Sequence, residues 1–285
     1  MVRQLSGQGT RQRVLAGAPL TERRLDLAGV STAVLEGGDG PPVVLLHGQG
    51  GWSGMWLPVV LDLMAGHRVI APDLPGLGAS TVAGGPPDAA RVLAWLGALT
   101  ERTCSEPPAI VGASLGASIA ARFAIAHSDR LSRLVLVDAG SLARFRPAPG
   151  VLLALVRFLA RPTERTQQGF LRQVAVDPAR ARALLGPDAQ AYGLELARTP
   201  SVRAANRRLL RELGTRTIPS EQLAGIAVPT TLVWGRQDRV MRLRIAEEAS
   251  ARYGWPLEVI EDAGHLSIER PEASRAALRS ALERR

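Results

Sequence analysis

At 285 residues the chain is long enough for one large α/β domain, or one domain with an inserted subdomain, and its 46% hydrophobic content excludes a disordered chain. A single cysteine, Cys104, excludes an intrachain disulfide and the paired-cysteine motifs of zinc and redox sites, so a cytoplasmic protein without a bound metal is expected. All 35 basic residues are arginine and the net charge is +9; residues 144–216 hold 14 arginines against five acids, whereas 4% aromatic residues and the lack of a recognition motif speak against nucleic acid.

Residues 1–20 carry Arg3, Arg11 and Arg13 without an apolar run of signal-peptide length. Residues 23–27 and 32–35, with Gly29 between them, read as a hairpin. Buried-strand runs follow at 43–46, 68–71, 109–111 and 134–137, and helical patterns fall between them at about 52–65, 88–104 and 115–126. Such alternation implies a mostly parallel twisted sheet with helices on both faces. From about Ser141 to Pro219 no strand is apparent; helical segments are punctuated by Pro147, Pro149, Pro162, Pro178, Pro187 and Pro200. The longest apolar stretch there, 151–160, contains Arg157 and is too short to span a bilayer, so no membrane partner is expected. Residues 230–234 restore the strand signal, ahead of a helix near 243–253, a strand near 257–260 and a helix from Pro271. An α/β core in two parts, 1–140 and 220–285, is therefore interrupted by a helical insert at 141–219.

The pentapeptide Gly112-Ala113-Ser114-Leu115-Gly116 follows a strand and precedes a helix, the setting that a Gly-x-Ser-x-Gly nucleophile turn requires. The turn is sharp, so positions two residues either side must be nearly free of side chain, and Gly112 and Gly116 are. Ser114 then stands at a helix N-terminus, where backbone N–H groups, that of Leu115 first, favour an oxyanion. Alone, the pentapeptide is a weak motif shared with inert Gly/Ser turns. Its place between strand and helix selects the catalytic reading.

A serine nucleophile needs a base, and the base needs an acid to orient it. Of four histidines, His47 ends a strand and reads as structural, while His67 and His127 flank a strand and a helix as surface residues. His265 follows the last strand on the sheet's carboxyl edge, where Ser114 also lies and where open α/β sheets bind ligands. Two acids satisfy the order Ser, Asp, His: Asp138 and Asp238, each just past a strand. Asp238 leads, because its strand should neighbour the one that delivers His265.

The chain resembles the α/β-hydrolase superfamily across nearly its full length from about Arg23. The resemblance is carried by His47-Gly48-Gln49-Gly50-Gly51, Asp73-Leu74-Pro75-Gly76-Leu77-Gly78-Ala79-Ser80, the turn at Ser114, Gly235-Arg236-Gln237-Asp238 and Gly264-His265, in that order. It implies an α/β-hydrolase fold, Asp238 as the acid, a cap formed by the helical insert, and the N–H of Gln49 (with that of Gly50 second) as the oxyanion donor that joins Leu115. Gly48, Gly50, Trp52 and Leu266 are candidate pocket residues; Trp52 and Trp56, on one helix face, either line an acyl pocket or pack as core. Epoxide hydrolases and haloalkane dehalogenases of this fold carry aspartate at the turn, unlike Ser114. Meta-cleavage-product hydrolases carry serine, but a tryptophan where this chain has Leu266.

A serine hydrolase acting on a small or medium ester, lactone or related carbonyl compound is expected, with no metal or organic cofactor. The arginine-rich insert would suit an anionic substrate, with Arg144, Arg157 and Arg172 to be watched. Carbon–carbon hydrolysis, a biosynthetic cyclase or lyase step on the same triad, and a receptor that binds without turnover are the alternatives. Oligomeric state is not legible.

Overall fold

The apolar runs pair as neighbouring strands of one sheet. The structure, a computed structural model, describes residues 3–265 and 267–284, with the backbone alone at 3–8 and at Ser267. Helix α1 (Arg3–Leu15) leads into a hairpin of β1 (Thr21–Leu27) and β2 (Val30–Gly37), turned through Ala28 and Gly29 at positive φ. Then come β3 (Pro42–Leu46), a 3-10 turn (Ser53–Trp56), α2 (Leu57–Met64), β4 (Arg68–Pro72), the short β5 (Thr81–Val82), α3 (Ala89–Thr103), β6 (Ala109–Ala113), α4 (Leu115–Ala126) and β7 (Arg133–Val137). Helices α5 (Pro149–Ala160), α6 (Glu164–Val174), α7 (Pro178–Arg198), α8 (Pro200–Leu209) and α9 (Ser220–Ala224) follow. The sheet resumes with β8 (Thr230–Gly235), α10 (Leu243–Tyr253), β9 (Leu257–Ile260) and α11 (Pro271–Glu283).

The strand order is β1-β2-β4-β3-β6-β7-β8-β9, with β5 beside β2; every pairing from β4 to β9 is parallel, and those of β2 are antiparallel. Successive strand residues point to opposite faces, so two cores form. Val44, Leu46, Ile110, Leu134 and Leu136 pack with α3 and α4, whereas Val43, Leu45, Val111, Val135 and Val137 pack with α2 and α11. Burial on both faces explains why these strands read as continuous apolar runs.

Two local features depart from expectation. The helix foreseen from Trp52 begins at Leu57, with Pro58 in its first turn, where its missing N–H leaves no bond unmade. Trp52 therefore precedes the 3-10 turn and does not share a helix face with Trp56. The break of helix α7 at Gly186 (φ 72°), just before Pro187, falls instead where that proline punctuates the sequence. Helix α1 was not foreseen; its Arg11 is buried against Asp73. Among the described residues no helix is long and apolar enough to cross a membrane.

Candidate active site

Strand β6 ends at Ala113 and α4 begins at Leu115, so Ser114 alone turns the chain, at φ 52° and ψ −108°. A side chain in that conformation costs about 1–3 kcal/mol, and packing holds it there. A Cβ on Gly116 would collide with the Leu46 carbonyl of β3, and one on Gly112 with the backbone of Gly116. The Ser114 N–H donates to Val137 O of β7 at 2.9 Å, closing the turn from the other side. The two glycines are thus required by strand and helix approaching each other, and the serine hydroxyl is left facing the cavity.

His265 and Asp238 meet Ser114 at that edge. The Ser114 hydroxyl lies 3.0 Å from His265 Nε2, and His265 Nδ1 lies 2.8 Å from Asp238 Oδ2. Asp238 Oδ1 accepts the N–H groups of Val240 (2.7 Å) and Met241 (2.9 Å), which fixes the carboxylate plane. With Nδ1–H donating to Asp238, the Nε2 lone pair faces the hydroxyl. Burial acts to lower the His265 pKa; the charge and hydrogen bond of Asp238, with the charge of Asp138 behind it, outweigh burial and raise it above 6.5. Asp138 is the acid that the geometry does not place on the imidazole nitrogen: its Oδ1 accepts the Gly235 N–H at 2.9 Å and ties the end of β7 to that of β8. One atom from each of Asp138, Asp238 and His265 falls within 4.8 Å of the others, but a cation there would have to displace the hydrogen bonds that align His265.

Gly48, Gln49, Gly50 and Trp52 all line the cavity with Ser114, Leu115 and His265; Leu266 lies outside the described residues. A Cβ on Gly48 would stand 3.4 Å from Ser114 Cβ, so this loop runs against Ser114. His47 shapes it from below. Its Nε2 accepts the Leu74 N–H at 3.0 Å, so the ring proton is on Nδ1 and is donated to Gly48 O at 2.8 Å. Burial pushes the His47 pKa down, which keeps it neutral. The Gly50 N–H is committed to Asn206 Oδ1 at 3.1 Å, which leaves that of Gln49 as the loop's candidate donor. At the helix side, Leu115 is a first-turn residue whose N–H has no intrahelical acceptor.

The cavity measures about 350 Å³, and helices α5 to α8 enclose it above the sheet edge. Phe145, Leu155, Phe158, Leu171, Leu196 and Met241 make it mainly apolar. Both tryptophans reach it: Trp52 and Trp56 are buried and line it, Trp52 edge-on to Tyr192 of α7. Arg144, Arg157 and Arg172 are exposed and lie outside the cavity lining; Arg203 and Arg207 of α8 contribute to it instead.

Residues 41–270 match the family model described as the alpha/beta hydrolase fold. The chain belongs to this family. Among relatives of the α/β hydrolase, a pimeloyl-[acyl-carrier protein] methyl ester esterase of Aeromonas hydrophila is 30% identical over 221 residues, covering 74% of this chain and 83% of its own. A 2-hydroxy-6-oxo-6-phenylhexa-2,4-dienoate hydrolase of Comamonas testosteroni is 30% identical over 226 residues, 73% of this chain and 75% of that one. A crystal structure of a membrane phospholipase A, a bacterial virulence factor, superposes with a TM-score of 0.80 at 27% identity over 99% of this chain and 92% of that one. With serine at its sharp turn, this α/β hydrolase is a serine hydrolase.

Three supports of the α/β hydrolase's site were missed in the sequence. Asn206 holds Gly50 from α8. Glu269 binds the loop of His265. Asp73, within the block from Asp73 to Ser80, accepts the N–H groups of Ser53 (2.6 Å) and Ala79 (2.7 Å) and pairs with Arg11 at 2.9 Å. Only Asp73 lay in a recognisable motif; nothing local marks the other two.

Proposed function

We propose that the protein hydrolyses carboxylic esters with a small or medium, largely apolar acyl group through an acyl-enzyme on Ser114. The observation that carries this reading is the chain of contacts Asp238–His265–Ser114, at 2.8 and 3.0 Å, opening on an apolar cavity of about 350 Å³. His265 Nε2 takes the Ser114 proton as Oγ bonds to the carbonyl carbon, and the imidazolium is stabilised by Asp238. The carbonyl oxygen gains negative charge and meets the N–H groups of Leu115 and Gln49. Collapse breaks the carbon–oxygen bond to the alcohol, which leaves with the proton from Nε2. Water, deprotonated by His265, then attacks the acyl carbon and frees Ser114. Residues 1–140 and 220–285 form the catalytic unit in this reading, and 141–219 a cap over it, with the lone Cys104 in keeping with a cytoplasmic enzyme.

The test is turnover of p-nitrophenyl esters of graded chain length. The expected result is a kcat/KM that rises from acetate toward medium chains and falls once the chain outgrows the cavity. Preference for acetate over all longer chains would contradict an apolar acyl site.

Carbon–carbon hydrolysis of a carboxylated dienone is the second reading. The Comamonas relative favours it, and Arg203 and Arg207 at the cavity could meet a carboxylate. Loss of the dienone chromophore at a rate matching the best ester would establish it.

A further inference from the structure

Glu269 is a buried carboxylate that the proposed chemistry leaves unused. It ends the 3-10 turn Ser267–Glu269, four residues after His265, and is 1% exposed. Its Oε1 accepts the N–H of Gly264 at 2.7 Å and that of Val176 at 3.0 Å, and its Oε2 accepts the N–H of Asp177 at 3.0 Å. Gly264 immediately precedes His265, while Val176 and Asp177 form the junction of α6 with α7. Beside this clamp the His265 N–H donates to Val174 O at 2.8 Å. There is little slack: a Cβ on Gly264 would collide with the Val174 carbonyl, and one on Gly235 with the Gly264 carbonyl. The peptide that carries His265 is therefore packed between the end of β8 and residues 174–177 of the helical insert.

We infer that Glu269 is a positioning residue, whose carboxylate clamps the His265 loop to the α6–α7 junction and so sets the imidazole against Ser114 only while the inserted helices are seated. A carboxylate suits the task because it accepts on both oxygens and donates on neither. Three amide donors from two segments converge on it, so displacing the insert strips the carboxylate of two of its three donors, Val176 and Asp177, and takes the Val174 carbonyl from the His265 N–H. A displacement of about 1 Å at the base then lowers turnover by up to roughly 100-fold. The inference rests on the reading of His265 as the base.

The experiment compares Glu269→Gln, Glu269→Asp and His265→Gln with the wild type in the full chain. Folded fraction is followed by circular dichroism, kcat and KM with a p-nitrophenyl ester, and the His265 Nδ1 proton by its downfield ¹H NMR resonance. Glutamine keeps the shape but turns an –NH₂ donor toward an amide donor. The expected result is a kcat lowered about 10- to 100-fold per folded molecule, a KM within about twofold and a broadened or lost downfield resonance. Glu269→Asp, with both acceptors on a shorter stem, should recover part of the rate; it is read by the same criteria if the glutamine variant does not fold. Wild-type kcat and resonance per folded molecule in whichever variant folds would overturn the clamp, provided His265→Gln is inactive. A wild-type rate in His265→Gln would instead overturn the reading of the base, and the clamp with it.

Discussion

Asn206 and Gly50 are joined across the active-site cavity: the Gly50 N–H donates to Asn206 Oδ1 at 3.1 Å, so α8 holds the loop that begins at His47. Gly50 has φ 66°, and its free N–H would otherwise compete with that of Gln49 for the substrate oxygen. Asn206→Ala removes the acceptor and frees the loop. A lost hydrogen bond of this kind is worth about 0.5–1.5 kcal/mol, so kcat should fall roughly 3- to 10-fold with the fold intact. Steady-state kinetics checks this, and an unchanged kcat would show that the contact does not tune the loop.

The proposed role of His265 predicts a pH dependence of activity. In the proposed mechanism His265 must be neutral to act as the base, and its pKa is raised in the folded protein, against burial, by Asp238 and Asp138. Activity should therefore rise with pH along a limb centred above 6.5. Asp238→Asn removes the larger of the two raising charges and favours the wrong tautomer. The limb should move to lower pH and kcat fall by about 10⁴-fold. Stability runs the other way. A raised folded-state pKa stabilises the protein fully below the unfolded value, and that contribution is lost as pH climbs through the folded value. Thermal melts across the activity limb should thus decline as turnover increases.

Arg11 and Asp73 form an ion pair at 2.9 Å with 3% and 0% of their side chains exposed, and Arg11 also lies 4.7 Å from the Trp52 ring. Arg11→Met strands a buried negative charge, a change that costs about 3–5 kcal/mol. Urea denaturation should show a lower midpoint at an unchanged slope. Adding Asp73→Asn should return part of the loss, because the stranded charge is then removed. An unchanged midpoint in Arg11→Met would mean that the pair with Asp73 adds nothing to stability.

What could be read in the sequence follows a physical division. Ser114 was legible because a strand-to-helix reversal admits so few residues around it, and His265 because only four histidines had to be placed. Asp238 could be preferred over Asp138 because β8 and β9 are neighbours, although both acids finish near the imidazole. Asn206 and Glu269 were not legible: they act on backbone N–H groups, which carry no sequence signature, and Asn206 lies 156 positions from its partner. Helix α1 was hidden for a related reason. Its segment, with Gly7 and Gly9 inside, lacks an apolar stripe, and the buried contact of Arg11 is one that periodicity cannot reveal. Arg144, Arg157 and Arg172, worth watching on charge alone, are exposed and off the cavity lining, because net charge locates a segment and not where each side chain lies.

The central claim is covalent catalysis by Ser114, and the most direct measurement is mass spectrometry of protein quenched during turnover of a medium-chain p-nitrophenyl ester. The acyl group should appear on the peptide containing Ser114, and Ser114→Ala should lose both the adduct and at least about 10⁴-fold in kcat. Continued hydrolysis by Ser114→Ala near the wild-type rate, or an adduct on a different residue, would contradict it.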